Sequence, residues 1–178
     1  MARNVEIKAR VRDMARLRHL AAELATDGPW TLDQVDIFFH AHHGRLKLRT
    51  INDEESELIY YHRDDYAGPK TSTYARSVTP DPVGLRQILS AVLGELGQVR
   101  KRRTLYLVGQ TRIHLDEVED LGNYMELEVV LREGQSPTIG EAIAEDLMER
   151  LEIRRRDLCD GAYLDLFESS QVRRAADE

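Results

Sequence analysis

The chain has 178 residues, with 25 Lys and Arg against 32 Asp and Glu and a formal net charge of −7. That length suits one domain able to bury a core without cross-links. At 42% hydrophobic and 32% charged residues it is neither a disordered acidic tail nor a helical membrane protein. No run approaches about 18 uninterrupted apolar residues, and the opening MARNVEIKAR has no apolar signal core. The lone Cys159 has no partner for an intrachain disulfide, and no Cys/His spacing suits a structural zinc. Together these predict a cytoplasmic protein with no membrane partner. The acidic total argues against a general binder of nucleic-acid backbones, which depends on cations that neutralise phosphates.

In chain order, residues 4–11 alternate as a strand, with Asn4, Glu6, Lys8 and Arg10 on one face and Val5, Ile7, Ala9 and Val11 on the other. Asp13–Leu24 reads as a helix, with Asp13 as N-cap, Leu17, Leu20 and Leu24 on one face, and Gly28-Pro29 as the stop. His40, His42 and His43 precede Gly44 and fit a solvated turn better than a ligand cluster. Residues 45–49 set Arg45, Lys47 and Arg49 against Leu46 and Leu48, and residues 58–63 set Ile59, Tyr61 and Arg63 against Leu58, Tyr60 and His62. Lys70, in GPKTSTY, is a loop cation that either touches a substrate or is simply exposed. Pro82–Leu96 is a second helix, with Leu85, Ile88, Leu89, Val92, Leu93 and Leu96 in one apolar stripe.

Three more strands follow. Residues 99–107 put Lys101 and Arg103 opposite Arg100, Arg102 and Tyr106; residues 111–116 put Arg112, His114 and Asp116 opposite Ile113 and Leu115. Residues 124–131 put Tyr124, Glu126 and Glu128 opposite Met125, Leu127 and Val129. Thr138–Leu151 reads as a helix opened by a Thr138/Glu141 capping box, with Ile139, Ile143, Leu147 and Leu151 on one face. A shorter turn, Gly161–Phe167, offers Tyr163, Leu164 and Phe167 for docking, and the polar Ser169–Glu178 is expected to fray. With no repeat and no long linker, the reading is one domain over 1–168 followed by a polar tail, 169–178.

The polar faces of these strands carry full charges rather than Ser, Thr or Gln. Two arrangements suit that pattern. One is a flat sheet with a charged face in water. The other is an antiparallel barrel with helices outside and the charges within, which a wet lumen binding a polyanion and metal ions would stabilise. Glu126 and Glu128 would project to one side of a strand, about 7 Å apart along the chain, with Asp116 on the neighbouring strand and Glu6 on the first. Such hard oxygen donors suit Mg²⁺ or Mn²⁺ where substrate phosphates complete the shell. Lys8, Lys47, Arg49, Arg63, Lys101, Arg103 and Arg112 fall in phase with them and suit phosphate. No Walker loop, Rossmann fingerprint or Ser–His–Asp arrangement is present.

VEIKAR at 5–10 resembles the N-terminal E-x-E-x-K signature of the CYTH, or triphosphate tunnel, superfamily. The resemblance continues through residues 34–49, 58–74, 99–122, 124–131 and 161–167 in the expected order, and GRLKLR, GPKTSTY and RIHLD are most similar to the class IV adenylyl cyclase branch. It implies an α+β, mainly β fold: a closed eight-stranded antiparallel barrel with helices packed outside. It also implies a site in which Glu6, Asp116, Glu126 and Glu128 hold Mg²⁺ or Mn²⁺. Lys8, Lys47, Arg49, Arg63, Lys70, Lys101, Arg103 and Arg112 would grip a nucleoside or inorganic triphosphate, with Lys8, Glu6 and Arg63 closest to the chemistry. The reaction implied is conversion of ATP to cyclic AMP and pyrophosphate. Triphosphate hydrolysis, or polyphosphate or nucleotide capture without turnover, are the alternatives, and a homodimer is compatible with the resemblance. Asn4 takes the place of the signature's first Glu, which removes one acid from the metal set. Phe38 and Phe39 stand where hydrolytic members carry tyrosines, which favours the cyclase.

Overall fold

The alternating segments close on themselves. The computed structural model describes residues 1–176, with side chains through residue 169. Among these residues eight strands form: β1 (Ala2–Arg10), β2 (Asp27–Phe39), β3 (Arg45–Ile51), β4 (Glu55–Arg63), β5 (Lys70–Val78), β6 (Glu95–Val108), β7 (Thr111–Val118) and β8 (Gly122–Val130). Their order around the barrel is β1-β5-β4-β3-β2-β6-β7-β8, and β8 returns to pair with β1, every pair antiparallel. Closure leaves no sheet edge, and each strand then has an inside and an outside face. β2 and β5 do not appear among the strands read from alternation. The first half of β2 is exposed, and β5 is rich in Ser and Thr, so neither shows a clean apolar face.

Four helices cover the outside: α1 (Met14–Leu24), α2 (Pro82–Leu93), α3 (Pro137–Arg150) and α4 (Tyr163–Ala176). The outward Ile7, Ala9, Ile113, Leu115, Met125 and Leu127 form the main core with Leu17 and Ala21 of α1 and with Leu147, Met148 and Leu151 at the end of α3. Burying each such side chain is worth about 1.5–3 kcal/mol, so the helices hold β1, β7 and β8 together. α3 lies unusually close to the sheet at Gly140, where a Cβ would stand 2.6 Å from Val5 Cγ2 and 2.8 Å from Leu131 Cδ2. α2 covers Ile37, Phe39 and Leu48 through Leu85, Leu89 and Leu93.

Three local expectations change. α2 stops at Leu93 because Gly94 takes a positive φ of 79°, so Leu96 belongs to β6. The Thr138/Glu141 box does not form; α3 starts one residue earlier, with Ser136 as N-cap and Pro137 in the first turn. α4 continues past the expected Gly161–Phe167 turn to Ala176, while 177 and 178 lie outside the described residues. No helix among the described residues is long and apolar enough to cross a membrane.

Candidate functional site

The inward residues of all eight strands enclose a cavity of about 200 Å³. Its lining carries eight cations (Lys8, Lys47, Arg49, Arg63, Arg76, Lys101, Arg103, Arg112) and five carboxylates (Glu6, Asp36, Glu57, Glu126, Glu128). The net charge of the lining is therefore opposite in sign to that of the chain. One end is plugged. Inward-facing Phe38, Val99, Val118 and Tyr124 form an apolar floor that Tyr163, from α4, completes. Towards the other end the lining is Leu32, Ile51, Leu105, Tyr74 and Arg76, an apolar and aromatic rim.

Above the floor the charges are wired to one another. Asp36, only 1% exposed, accepts two bonds from Arg49 (2.6 and 2.7 Å) and one from Lys47 (2.9 Å), with Lys101 3.6 Å away. Across the cavity Arg103 forks onto Asp116 (2.7 and 2.6 Å) and reaches Glu126 (2.7 Å). The Tyr163 hydroxyl donates to Asp116 at 2.8 Å. Lys8 lies 3.2 Å from Glu126, donates to the Gly161 carbonyl, and stacks 3.8 Å from the centre of the Tyr163 ring. Arg63 binds Glu6 and the same Gly161 carbonyl. Nearer the rim, Arg112 meets Glu128 at 3.5 Å and the Tyr74 hydroxyl at 3.1 Å.

These pairs set the protonation states. Burial alone would raise the Asp36 carboxyl, but Arg49, Lys47 and Lys101 outweigh it and hold Asp36 well below the usual carboxylate range. Glu126 is also held well down, its burial overcome chiefly by Lys8, then by His114 and Arg103. Asp116 falls to about 2 against its burial because Arg103 and Lys101 face it. Lys101 moves the other way: burial, then repulsion from Arg103, push its ammonium down to about 7 despite Asp116 and Asp36. Burial, reinforced by Asp116 and Glu126, drives the Tyr163 phenol well above its ordinary value. The ion pairs above the floor thus keep their carboxylates ionised and leave one lysine with a pKa of about 7.

One group among the described residues has the geometry of a metal site. Ligand atoms of His114, Glu126 and Glu128 all lie within 4.8 Å of one another. His114 Nδ1 sits 3.6 Å from Glu126 and 3.9 Å from Glu128, is buried, and has no hydrogen-bond partner. Two carboxylates and an unsatisfied imidazole nitrogen, arranged on one wall, are a donor set that fits a divalent cation.

Of the residues expected from sequence, Lys8, Lys47, Arg49, Arg63, Lys101, Arg103, Arg112, Glu6, Glu126 and Glu128 all line the cavity. Lys70 and Asp116 do not. Lys70 is buried beside it, its ammonium donating to the Tyr66 carbonyl, and burial with Arg63 and Lys8 nearby lowers it to about 8. Asp116 is fully buried, its oxygens taken by Arg103 and Tyr163, and it lies outside the His114 cluster. Glu6 neighbours Glu128 in the β1–β8 ladder but is held by Arg63. The three histidines of the β2–β3 turn are exposed. Asp36, Tyr61, His114 and Tyr163 are site residues that sequence reasoning passed over. Asp36 and His114 carried a usable signal, since each sits in phase with charged or lining neighbours on its strand. Tyr163 is expected to dock from its place in Gly161–Phe167, but nothing in that segment says it enters the barrel from α4. Only Phe38 of the Phe pair faces the lumen; Phe39 points outward under α2.

A model of the CYTH domain matches residues 2–163. Among solved structures, the PH1012 protein of Pyrococcus horikoshii superposes with a TM-score of 0.82 at 24% identity, covering 92% of this chain and 98% of that one. A candidate adenylate cyclase from Vibrio parahaemolyticus gives 0.74 at 15% identity, covering 93% and 97%. HpAC1 of Hippeastrum, a candidate adenylyl cyclase with a dominant triphosphatase activity, gives 0.66 at 16%, covering 94% and 96%. At these identities the likeness is one of fold. No curated protein sequence matches the chain significantly.

Proposed function

The chain belongs to the CYTH domain family, and we propose that it is a divalent-metal-dependent enzyme that binds a triphosphate inside the barrel and cleaves one of its phosphoanhydride bonds. The observation that carries this reading is the charge of the cavity. Eight basic side chains against five carboxylates leave an excess of about three positive charges once Lys101 is protonated, which complements a triphosphate bearing one divalent ion. Glu126 and Glu128 would hold that ion, which when bound neutralises phosphate oxygens and draws charge from the bond that breaks. The protein's own contribution is positioning and charge stabilisation. Asp36 holds Lys47, Arg49 and Lys101 along one wall, and Asp116, which accepts from the Tyr163 hydroxyl, holds Arg103 on the other. The cations are therefore oriented before the substrate arrives, so little reorganisation remains to be done at the reacting phosphate. The apolar floor lowers the local dielectric at the inner end, which strengthens these fields.

The rim favours a nucleoside triphosphate, because Leu32, Ile51 and Leu105 offer a nucleobase apolar contact beyond the cations. With ATP, attack of the ribose 3′-oxygen on the α-phosphorus expels pyrophosphate and leaves cyclic AMP. A specific observation supports hydrolysis as the second reading. Tyr61 faces the lumen with Lys47 5.6 Å from its ring, so a phenol and an ammonium stand together although Phe38 supplies no hydroxyl. The triphosphatase activity of HpAC1 points the same way. The test is turnover of ATP, inorganic triphosphate and thiamine triphosphate with Mg²⁺ and with Mn²⁺. Cyclic AMP with pyrophosphate identifies the cyclase and orthophosphate the hydrolase. Tight binding without product, or no binding at all, overturns the enzyme reading.

A further inference from the structure

Glu126 and Glu128 suffice for a hard cation, yet the third member of their cluster is not an oxygen. His114 is in register with Glu126 across the β7–β8 ladder, and Glu128 is two residues further along β8. The imidazole is 4% exposed, it faces the lumen, and its Nδ1 has no hydrogen-bond partner. An unsatisfied buried polar atom costs about 1–3 kcal/mol, so its retention needs a reason. Lys8 and Arg103 give it no bond, since their hydrogens go to Glu126, Asp116 and the Gly161 carbonyl. Two carboxylates face Nδ1 just beyond hydrogen-bond distance, Glu126 at 3.6 Å and Glu128 at 3.9 Å. A cation placed between all three would satisfy the nitrogen and both carboxylates at once. Their ligand atoms already lie within 4.8 Å of one another, so an inward shift of the side chains would bring all three to one ion. Their arrangement on adjacent strands leaves the lumen side open for phosphate oxygens.

We propose that His114 is a protein ligand of the bound metal and that it makes this site select a transition ion of the Mn²⁺ type over Mg²⁺. Mg²⁺ prefers an all-oxygen shell and gives up water reluctantly, whereas imidazole nitrogen is a good donor to first-row transition ions. Asn4 sharpens the bias. It is buried in the same cavity and brings no charge, so the nitrogen ligand is not offset by an extra carboxylate that would favour Mg²⁺.

The inference rests on the reading of the barrel as a metal-dependent site, and the two fail separately because metal binding is measured without substrate. The full chain is titrated with Mn²⁺, following free ion by electron paramagnetic resonance, and with Mg²⁺ by competition. His114→Gln is expected to weaken Mn²⁺ binding roughly 10- to 100-fold and Mg²⁺ binding by less than about threefold. The electron spin echo of Mn²⁺ bound to the unaltered protein is expected to show modulation from a coordinated nitrogen, which tests ligation even if the variant folds poorly. Bound Mn²⁺ without that modulation, equal weakening of both ions in the variant, or failure of Mn²⁺ to bind would each overturn the proposal. Mn²⁺ bound through nitrogen in a protein that turns over no triphosphate would instead overturn the enzyme reading alone.

Discussion

Replacing Asp36 by Asn tests whether one buried carboxylate organises a wall of the cavity. The side chain keeps its shape but loses its charge, and its amide turns donor hydrogens towards Lys47, Arg49 and Lys101, which are themselves donors. Lys47 and Arg49, bonded to Asp36 at 2.6–2.9 Å, then face each other without that counterion, and Lys101 keeps only Asp116. Breaking a buried ion pair from one side costs about 3–5 kcal/mol. For a chain of this length each kcal/mol moves Tm by about 2–4 °C, so the expected loss is about 6–20 °C by calorimetry in phosphate-free buffer. Inorganic triphosphate should recover part of it, because the anion supplies the missing charge; the rise in Tm at saturation should exceed that of the unaltered protein. The pH dependence has a definite direction. Because the cations hold Asp36 below its ordinary pKa, its stabilisation is complete above about pH 4 and fades as the pH falls below that. The gap between the two proteins should therefore narrow on acidification. A Tm within about 2 °C of the unaltered protein, or equal gains from triphosphate, would refute the account.

Lys101, held near 7, is mostly neutral at pH 8, and a bound triphosphate should restore its charge. Calorimetry in two buffers of different ionisation enthalpy should then show uptake approaching about one proton, abolished in Lys101→Met. Because its folded pKa lies below the unfolded one, the unaltered protein should also gain stability as the pH rises from about 7 to about 10, which the variant should not. Glu126→Gln should lower metal-dependent turnover by at least about 100-fold while circular dichroism reports a folded barrel. Leu147→Ala, in the core between α3 and the barrel, should lose about 2–5 kcal/mol in urea unfolding and leave turnover unchanged below the transition.

The charged faces were legible as a set because a strand's parity survives any error at its ends. Glu6, Lys8, Lys47, Arg49, Arg63, Lys101, Arg103, Arg112, Glu126 and Glu128 all face one way for that reason. Alternation alone does not separate a flat sheet from a barrel, since the two differ in one non-local ladder, β1 against β8; the family resemblance supplied the closure. β5 was lost because a run of Lys, Thr, Ser and Thr has no apolar face to announce it. In β2 the alternation of Gln34, Asp36 and Phe38 against Val35, Ile37 and Phe39 was present, but only over its second half. Asp116 has the parity of a lumen acid, yet its depth, which decides that it serves Arg103 and Tyr163, depends on how α4 docks.

The β1–β8 ladder has a consequence for how the molecule comes into being. Lys8 and Glu126 are register partners, so the N-terminal strand must wait for more than a hundred residues to be synthesised before its inner face has a neighbour on that side. Tyr163, which completes the floor, emerges later still. Before β8 is in place, β1 has no partner on that edge. Long-range pairing of this kind slows folding and prolongs the life of sticky intermediates. The ladder that joins Lys8 to Glu126 is thus available only once β8 has been made.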